Sequence, residues 1–212
     1  MIRARSLAAI GALAIVLGAC TAAASPASTD LVPPGAIGGT CPTSQPPALA
    51  AGETRTVTIS TSQGEFAITV TADLSPIAAG NFVALAECGY YDGVVFHRLV
   101  PGFVIQGGDP SGNGTGGPGY GIADEPVTAT YHRATVAMAR TSAPNSQGSQ
   151  FFVVLGDGAA QALASYNTYA IFGEVTAGMD TVDKIAAMPN SGSPDNRALQ
   201  PVAMDSVTVS TP

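Results

Sequence analysis

Residues 96–109 read Phe96-His97-Arg98-Leu99-Val100-Pro101-Gly102-Phe103-Val104-Ile105-Gln106-Gly107-Gly108-Asp109. Two short β runs, 94–99 and 103–106, lie here with Val100-Pro101-Gly102 between them. In an extended strand successive side chains point to opposite faces. Strict alternation therefore puts Phe103 and Ile105 on one face and Val104 and Gln106 on the other.

Outward from this stretch the pattern stays short and β-like. Residues 55–60 alternate through Val57 and Ile59, Gln63-Gly64 marks a turn, and residues 65–71 alternate through Phe66, Ile68 and Val70. That is a hairpin pattern. Ser75-Pro76 predicts a helix start, with Ser as N-cap and Pro in the first position. The helical stripe runs through Ile77, Phe82, Val83, Leu85 and Ala86 and closes at Gly89. Further β runs fall at 134–139, 151–155, 170–175 and 206–210, and residues 178–188 have helical spacing through Met179, Val182 and Ile185. No internal repeat is visible. Many short strands with two longer helices predict a mainly β fold, an antiparallel barrel with helices over its ends.

The chain has 212 residues, eight Lys+Arg against fifteen Asp+Glu, and a net charge of −7. That balance excludes nucleic acid as a partner, since phosphate binding needs a basic face. Arg3 and Arg5 precede an uncharged apolar run over residues 7–17, the length of a signal-peptide core and too short to span a bilayer. The run ends in Leu17-Gly18-Ala19-Cys20, which resembles the lipobox of bacterial lipoproteins. Residues 1–19 are read as a signal peptide, Cys20 as the lipidated residue, and residues 20–52 as a Pro/Gly/Ser/Thr-rich flexible tether. The expected location is extracytoplasmic, lipid-anchored to the bacterial cell membrane. Cleavage leaves six basic against fifteen acidic residues, a charge of −9. With Cys20 acylated, Cys41 and Cys88 remain as an even pair in a compartment that permits disulfides. A Cys41–Cys88 bond is predicted, tying the end of the tether to the first helix.

A second block, Asn145-Ser146-Gln147-Gly148-Ser149-Gln150-Phe151-Phe152, and the stretch Asn113-Gly114-Thr115-Gly116-Gly117 complete the pattern. With residues 96–109 they closely resemble the signature blocks of cyclophilin-type peptidyl-prolyl isomerases, in the same order. The resemblance runs from about Val57 to Val209. It implies a closed eight-stranded antiparallel barrel capped by two helices, occupying residues 53–212. It also implies that a twisted or bulged strand brings Phe103 and Gln106 to one pocket. There Phe103 and Phe152 line an apolar cup for a proline ring, with Val104 beside them. Gln106 holds the substrate backbone and supports Arg98. Ala139 and Arg140 present backbone groups to the peptide, Thr141 and Gln150 border it, and Leu163 and Tyr169 stand at the rim. Arg98, Phe103 and Gln106 are the catalytic residues it implies; His97, beside Arg98, is counted with the substrate-binding residues, its role mainly structural.

The chemistry agrees with these residue types. Rotation about an X-Pro bond crosses a barrier of roughly 18–20 kcal/mol because amide resonance is lost. No bond is cut, so no nucleophile, metal, cofactor or base is needed; the twisted amide must be bound better than either planar form. Arg98, always charged and with five donors, suits the lone pair that appears on the proline nitrogen. Two His and three Cys without ligand spacing predict no metal site. Gly112-Asn113-Gly114-Thr115-Gly116-Gly117 fits G-x-G-x-x-G, but Pro118-Gly119 follows and no helical stripe does, so a dinucleotide site is rejected. The chain departs from the family's best-known members in having no Trp; Leu163-Ala164-Ser165-Tyr166-Asn167 occupies the region where they carry one. The expected partners are proline-containing segments of unfolded or secreted proteins and, through the lipid, the membrane; the chain itself is expected to be a monomer. The competing reading is a non-catalytic proline-segment binder or holdase, which could dispense with Arg98 and Gln106.

Overall fold

The computed structural model describes residues 40–211. Among these residues eight strands and three helices follow in the order β1 (Thr54–Thr61), β2 (Gly64–Thr71), α1 (Pro76–Glu87), β3 (Val95–Val100), β4 (Val104–Gly107), β5 (Thr135–Met138), β6 (Phe151–Val154), α2 (Asp157–Ala164), β7 (Ile171–Ala177), α3 (Met179–Ala186) and β8 (Arg197–Ser210). The strands close into an antiparallel barrel in the order β1-β2-β7-β5-β6-β4-β3-β8. This is the mainly β, closed eight-stranded barrel that the sequence predicts. Two details differ. A third helix, α2, stands where no helix was expected, because its inward face is built from Ala159, Ala160 and Leu163 and its apolar stripe is weak. And β8 begins at Arg197, well before the run 206–210. Pro201 interrupts the pattern there, and prolines read as strand breakers.

β8 closes the barrel. Its end pairs with β1, Val207 opposite Ile59 and Val209 opposite Val57. Its beginning pairs with β3, Val202 opposite Phe96 and Arg197 opposite Arg98. Register shifts beside Thr61 and between Phe96 and Arg98 bend it from one partner to the other. The interior is filled by Phe66, Phe82, Tyr91, Phe96, Phe151 and Phe172, all essentially without solvent contact. Phe82 is the hub, its ring centroid 4.7 Å from Phe172 and 5.2 Å from both Tyr91 and Phe151.

α1 is buried over nearly its whole circumference, including Ala78, Ala79, Phe82, Val83, Leu85 and Ala86. A helix apolar on all sides needs cover on all sides. One side is the barrel; the other is residues 40–52. Leu49 donates its backbone N–H to the Pro76 carbonyl (3.0 Å), and Gln45 Oε1 accepts from the Ala123 N–H (2.9 Å). A Cβ at Gly80 would stand 2.3 Å from the Pro47 carbonyl oxygen, so only glycine lets the segment lie this close. The described part of the segment read as a flexible tether is thus laid along α1, and the compact unit starts before Glu53. Cys41 and Cys88 are joined by a disulfide with Cα atoms 5.2 Å apart. Cys20, the signal-peptide segment and the first part of the tether lie outside the described residues. Among the described residues no helix is long and apolar enough to cross a membrane.

The start of α1 also departs from expectation. Ser75 makes no side-chain cap; its hydroxyl is buried without a partner among the described residues. Glu125 caps the helix instead, its two carboxylate oxygens accepting from the Ile77 and Ala78 N–H groups at 2.8 and 2.9 Å. A negative charge at the positive end of a helix is stabilising. A cap 48 residues away in the chain leaves no local trace.

The disulfide spans 47 residues, and closing a loop of that size in the unfolded chain is worth up to about 4 kcal/mol. Cys41→Ser is expected to lose about 2–4 kcal/mol of unfolding free energy in non-reducing urea titrations. Reductant should lower the wild-type midpoint and leave that of the variant in place.

Candidate functional site

Register decides which side chains meet on the outside of the barrel. Arg98 of β3 lies opposite Gln106 of β4, Gln106 opposite Phe152 of β6, and Phe152 opposite Ala137 of β5. Directly opposed residues on antiparallel strands project to the same face. The next row, Leu99, Ile105, Val153 and Val136, faces inward and is fully buried. Arg98, Gln106 and Phe152 therefore form one outward row although 54 positions of chain separate the first from the last.

Phe103 joins them from outside the strands. It ends the turn between β3 and β4, its N–H bonded to the Val100 carbonyl (2.9 Å) and its own carbonyl accepting from the Leu155 N–H (2.9 Å). β4 starts only at Val104, so the alternation expected over 103–106 does not govern Phe103, and no bulge in β4 is needed. Arg98, Phe103, Val104, Gln106, Phe152, Leu163 and Tyr169 line one cavity of about 220 Å³, edged by Ala139 and Arg140. The Tyr169 ring stands edge-on to Phe152 at 5.4 Å, and Tyr131 fixes it: the Tyr131 hydroxyl donates to the Tyr169 carbonyl (2.8 Å). Tyr166, 71% exposed, completes the rim. Sequence reasoning passed over it, although it lies in the segment that replaces the family's Trp.

A polar relay backs the arginine. Arg98 Nη1 donates to Gln106 Oε1 (3.4 Å), and Gln106 Nε2 donates to Gln150 Oε1 (2.9 Å). Gln150 Nε2 uses both hydrogens on the glycine loop, at the carbonyls of Gly114 (3.0 Å) and Gly116 (2.9 Å). The loop is held in turn by buried Asp109, whose carboxylate accepts from the Ser111 N–H (2.8 Å) and hydroxyl (2.7 Å) and from the N–H groups of Asn113 and Gly114. Burial pushes the Asp109 pKa up, but the hydrogen bonds from Ser111, Gly116 and Gly114 outweigh it and hold the carboxyl below its ordinary value. A Cβ at Gly116 would lie 2.1 Å from Asp109 Oδ1. The glycines of the G-x-G-x-x-G match thus wrap an anion that belongs to the chain, which is why the motif is no nucleotide site.

The remaining candidates fall around this row. Thr141 and Gln150 line a second cavity of about 340 Å³ under the glycine loop, which Arg140 and Ala139 also border. Arg140 turns its guanidinium to Asp124 (3.1 Å) and to the carbonyls of Thr141 (3.1 Å) and Ala143 (3.0 Å), so it braces the cavity wall. The Ala139 N–H is bonded to the Gln150 carbonyl (2.9 Å), leaving its carbonyl as the backbone group it can offer. His97 is not in the cavity with Phe103. It lies under the glycine loop and opens to a third cavity of about 320 Å³, shared with Arg98 and Gln106. Neither ring nitrogen finds a hydrogen-bond partner among the described residues. Among the described residues no group of three or more His, Cys, Asp or Glu could hold a metal.

Residues 56–209 match the family described as cyclophilin type peptidyl-prolyl cis-trans isomerase/CLD. The chain belongs to this family. It is 41% identical over 173 residues to peptidyl-prolyl cis-trans isomerase B of Streptomyces anulatus, covering 73% of this chain and 95% of that one. It is 39% identical over 160 residues to a peptidyl-prolyl cis-trans isomerase of Acinetobacter baylyi, covering 72% and 84%. A crystal structure of a cyclophilin type peptidyl-prolyl cis-trans isomerase of Cryptosporidium parvum superposes with a TM-score of 0.67 at 30% identity, over 75% of this chain and 99% of that one. The same relative has been solved in the presence of the dipeptide Ala-Pro, with a TM-score of 0.66 at 31% identity over 74% and 99%. This cyclophilin is a peptidyl-prolyl cis-trans isomerase.

Burial lowers the His97 pKa below 6.5, and Arg98 adds to the shift against the attraction of Asp109. The fold therefore prefers the neutral ring, and the unfolded chain takes up its proton at higher pH. Stability is full above about pH 6.5 and falls as the pH drops from there towards the folded-state pKa. NMR titration should place the His97 midpoint below 6.5. His97→Gln should remove that part of the acid-side loss seen in urea titrations at pH 7.5 and 5.

Proposed function

We propose that this cyclophilin binds proline-containing segments of unfolded or secreted proteins with the proline ring against Phe103 and Phe152, and that Arg98 stabilises the twisted amide. One observation carries the reading: Arg98 lines the same apolar cavity as Phe103, Val104, Phe152 and Leu163, with Gln106 fixing its guanidinium. The relative solved in the presence of Ala-Pro supports the choice of ligand. As the C–N bond turns, the proline nitrogen loses conjugation and gains a lone pair. A fixed cation with hydrogen-bond donors stabilises that state more than the planar ones. About 4 kcal/mol of such preference is worth about a thousandfold in rate. The apolar walls add to it by excluding water, which strengthens each polar contact made inside.

The soluble domain should accelerate isomerisation of a short X-Pro peptide, followed by NMR exchange. Arg98→Ala should lower kcat/KM by roughly 10²- to 10³-fold without lowering the unfolding midpoint. A variant as fast as wild type would refute the arginine's role. Wild type that binds the peptide without accelerating it would favour the holdase reading.

The second part of the proposal concerns place: an extracytoplasmic enzyme held to the membrane by an acylated Cys20, acting on proteins that fold there. Leu17-Gly18-Ala19-Cys20 supports it, as does the Cys41–Cys88 disulfide, since such bonds persist in oxidising compartments. Cells fed labelled palmitate should label the full-length protein and not Cys20→Ser, and the variant should leave the membrane fraction.

A further inference from the structure

The chain has eight Lys and Arg, two of them, Arg3 and Arg5, outside the described residues. Of the other six, Arg55, Arg133, Arg140 and Lys184 pair with carboxylates. Arg98 and Arg197 pair with none of the described residues' carboxylates, in a chain with fifteen acids. They are register partners across β3 and β8. Like charges placed directly opposite on antiparallel strands repel.

The backbone holds them there. Leu99 donates its N–H to the Asn196 carbonyl (2.8 Å), tying the turn before β8 to the residue next to Arg98. The turn is closed by the Ser191 N–H on the Arg197 carbonyl (2.9 Å) and the Arg197 N–H on the Ser191 hydroxyl (3.0 Å). Between this turn, β3 and the glycine loop lies the cavity of about 320 Å³, walled by His97, Arg98, Gln106, Asn113 and Arg197. His97 lies against it, with its two ring nitrogens buried and without a hydrogen-bond partner among the described residues. Asp195, exposed on the same wall, forms no ion pair with either arginine. The cavity shares Arg98 and Gln106 with the one that holds Phe103 and Phe152. A polypeptide lying across both would place a residue near its proline between the two arginines.

We infer that this cavity is a specificity subsite for a carboxylate side chain, Asp or Glu, within a few residues of the isomerised proline, with Arg197 as its main partner. The inference rests on the peptide-isomerase reading above. A carboxylate there relieves the Arg98–Arg197 repulsion and gives Arg197 an ion pair that none of the described residues supplies.

The test uses the mature chain and peptides with one central X-Pro bond. Glu, Gln or Lys is placed in turn two, three and four residues to either side of the proline, and kcat/KM is read by NMR exchange. At one position Glu should exceed Gln about three- to fivefold, the size of a partly exposed ion pair, and Lys should fall below Gln. The preference should shrink as salt rises from about 0.05 to about 0.5 M. In Arg197→Gln the Glu/Gln ratio should fall to about 1, a ratio that does not depend on how much of the variant is folded. A ratio near 1 at every position in wild type, or a preference that survives Arg197→Gln, would overturn the subsite while leaving the isomerase reading intact. Failure to isomerise any peptide would overturn that reading and the subsite with it.

Discussion

Closure of the barrel is the constraint from which the site follows. Strands β3, β4, β6 and β5 are antiparallel neighbours, and their register sets Arg98, Gln106 and Phe152 in one row on the outer face. A slip of one residue would turn Arg98 inward and Leu99 outward, burying a charge and exposing a core side chain. The same packing that fills the barrel with Leu99, Ile105 and Val153 therefore fixes which face carries Arg98, Gln106 and Phe152. Burial and function are two faces of one pairing, so the cost of a wrong register protects both.

Around that row the molecule uses anions of its own to hold irregular backbone. Asp109 gathers the N–H groups of the glycine loop, and the loop's carbonyls receive Gln150, which holds Gln106 and through it Arg98. Glu125 caps α1 from the long connection between β4 and β5, and Asp124 beside it anchors Arg140. Burial raises the Asp124 pKa, while bonds from Asn145, Gln147 and Arg140 prevail and keep the carboxyl below its ordinary value. Neighbouring acids thus tie the first helix and a wall of the neighbouring cavities to one stretch of chain. The residues before the barrel are fastened to the same stretch through Gln45 and Ala123. Segments far apart in the chain share supports close to the site.

The fold was legible in the sequence where its elements are regular. Period-two alternation marked β1 and β2, and the apolar stripe marked α1. Two elements escaped. α2 has a face of Ala159, Ala160 and Leu163, too weakly apolar to stand out, and the first half of β8 hides behind Pro201. The second omission concealed the pairing of Arg197 with Arg98, because the strand that carries Arg197 was not seen. The Ser75 cap failed for a different reason: a carboxylate from elsewhere took the N–H groups that Ser75 would have served.

By itself the sequence determined the inventory: three motif blocks in order, one arginine among apolar residues, glycines where backbone must pass close, and two cysteines left over for a bond. Tertiary structure alone decided the grouping. Phe103 enters the cavity because it belongs to a turn rather than to β4, so its side chain is free of the strand's alternation. His97 and Arg98, adjacent in sequence, share one cavity, but Arg98 alone also lines the one with Phe103, where the register shift after Phe96 breaks simple alternation. Tyr166 reaches the rim only through the turn after α2, and Arg197 reaches Arg98 only where β8 bends from β1 to β3. Local propensity sees neighbours within a turn or two; the contacts that make this site join residues tens of positions apart, and only closure of the barrel brings them together.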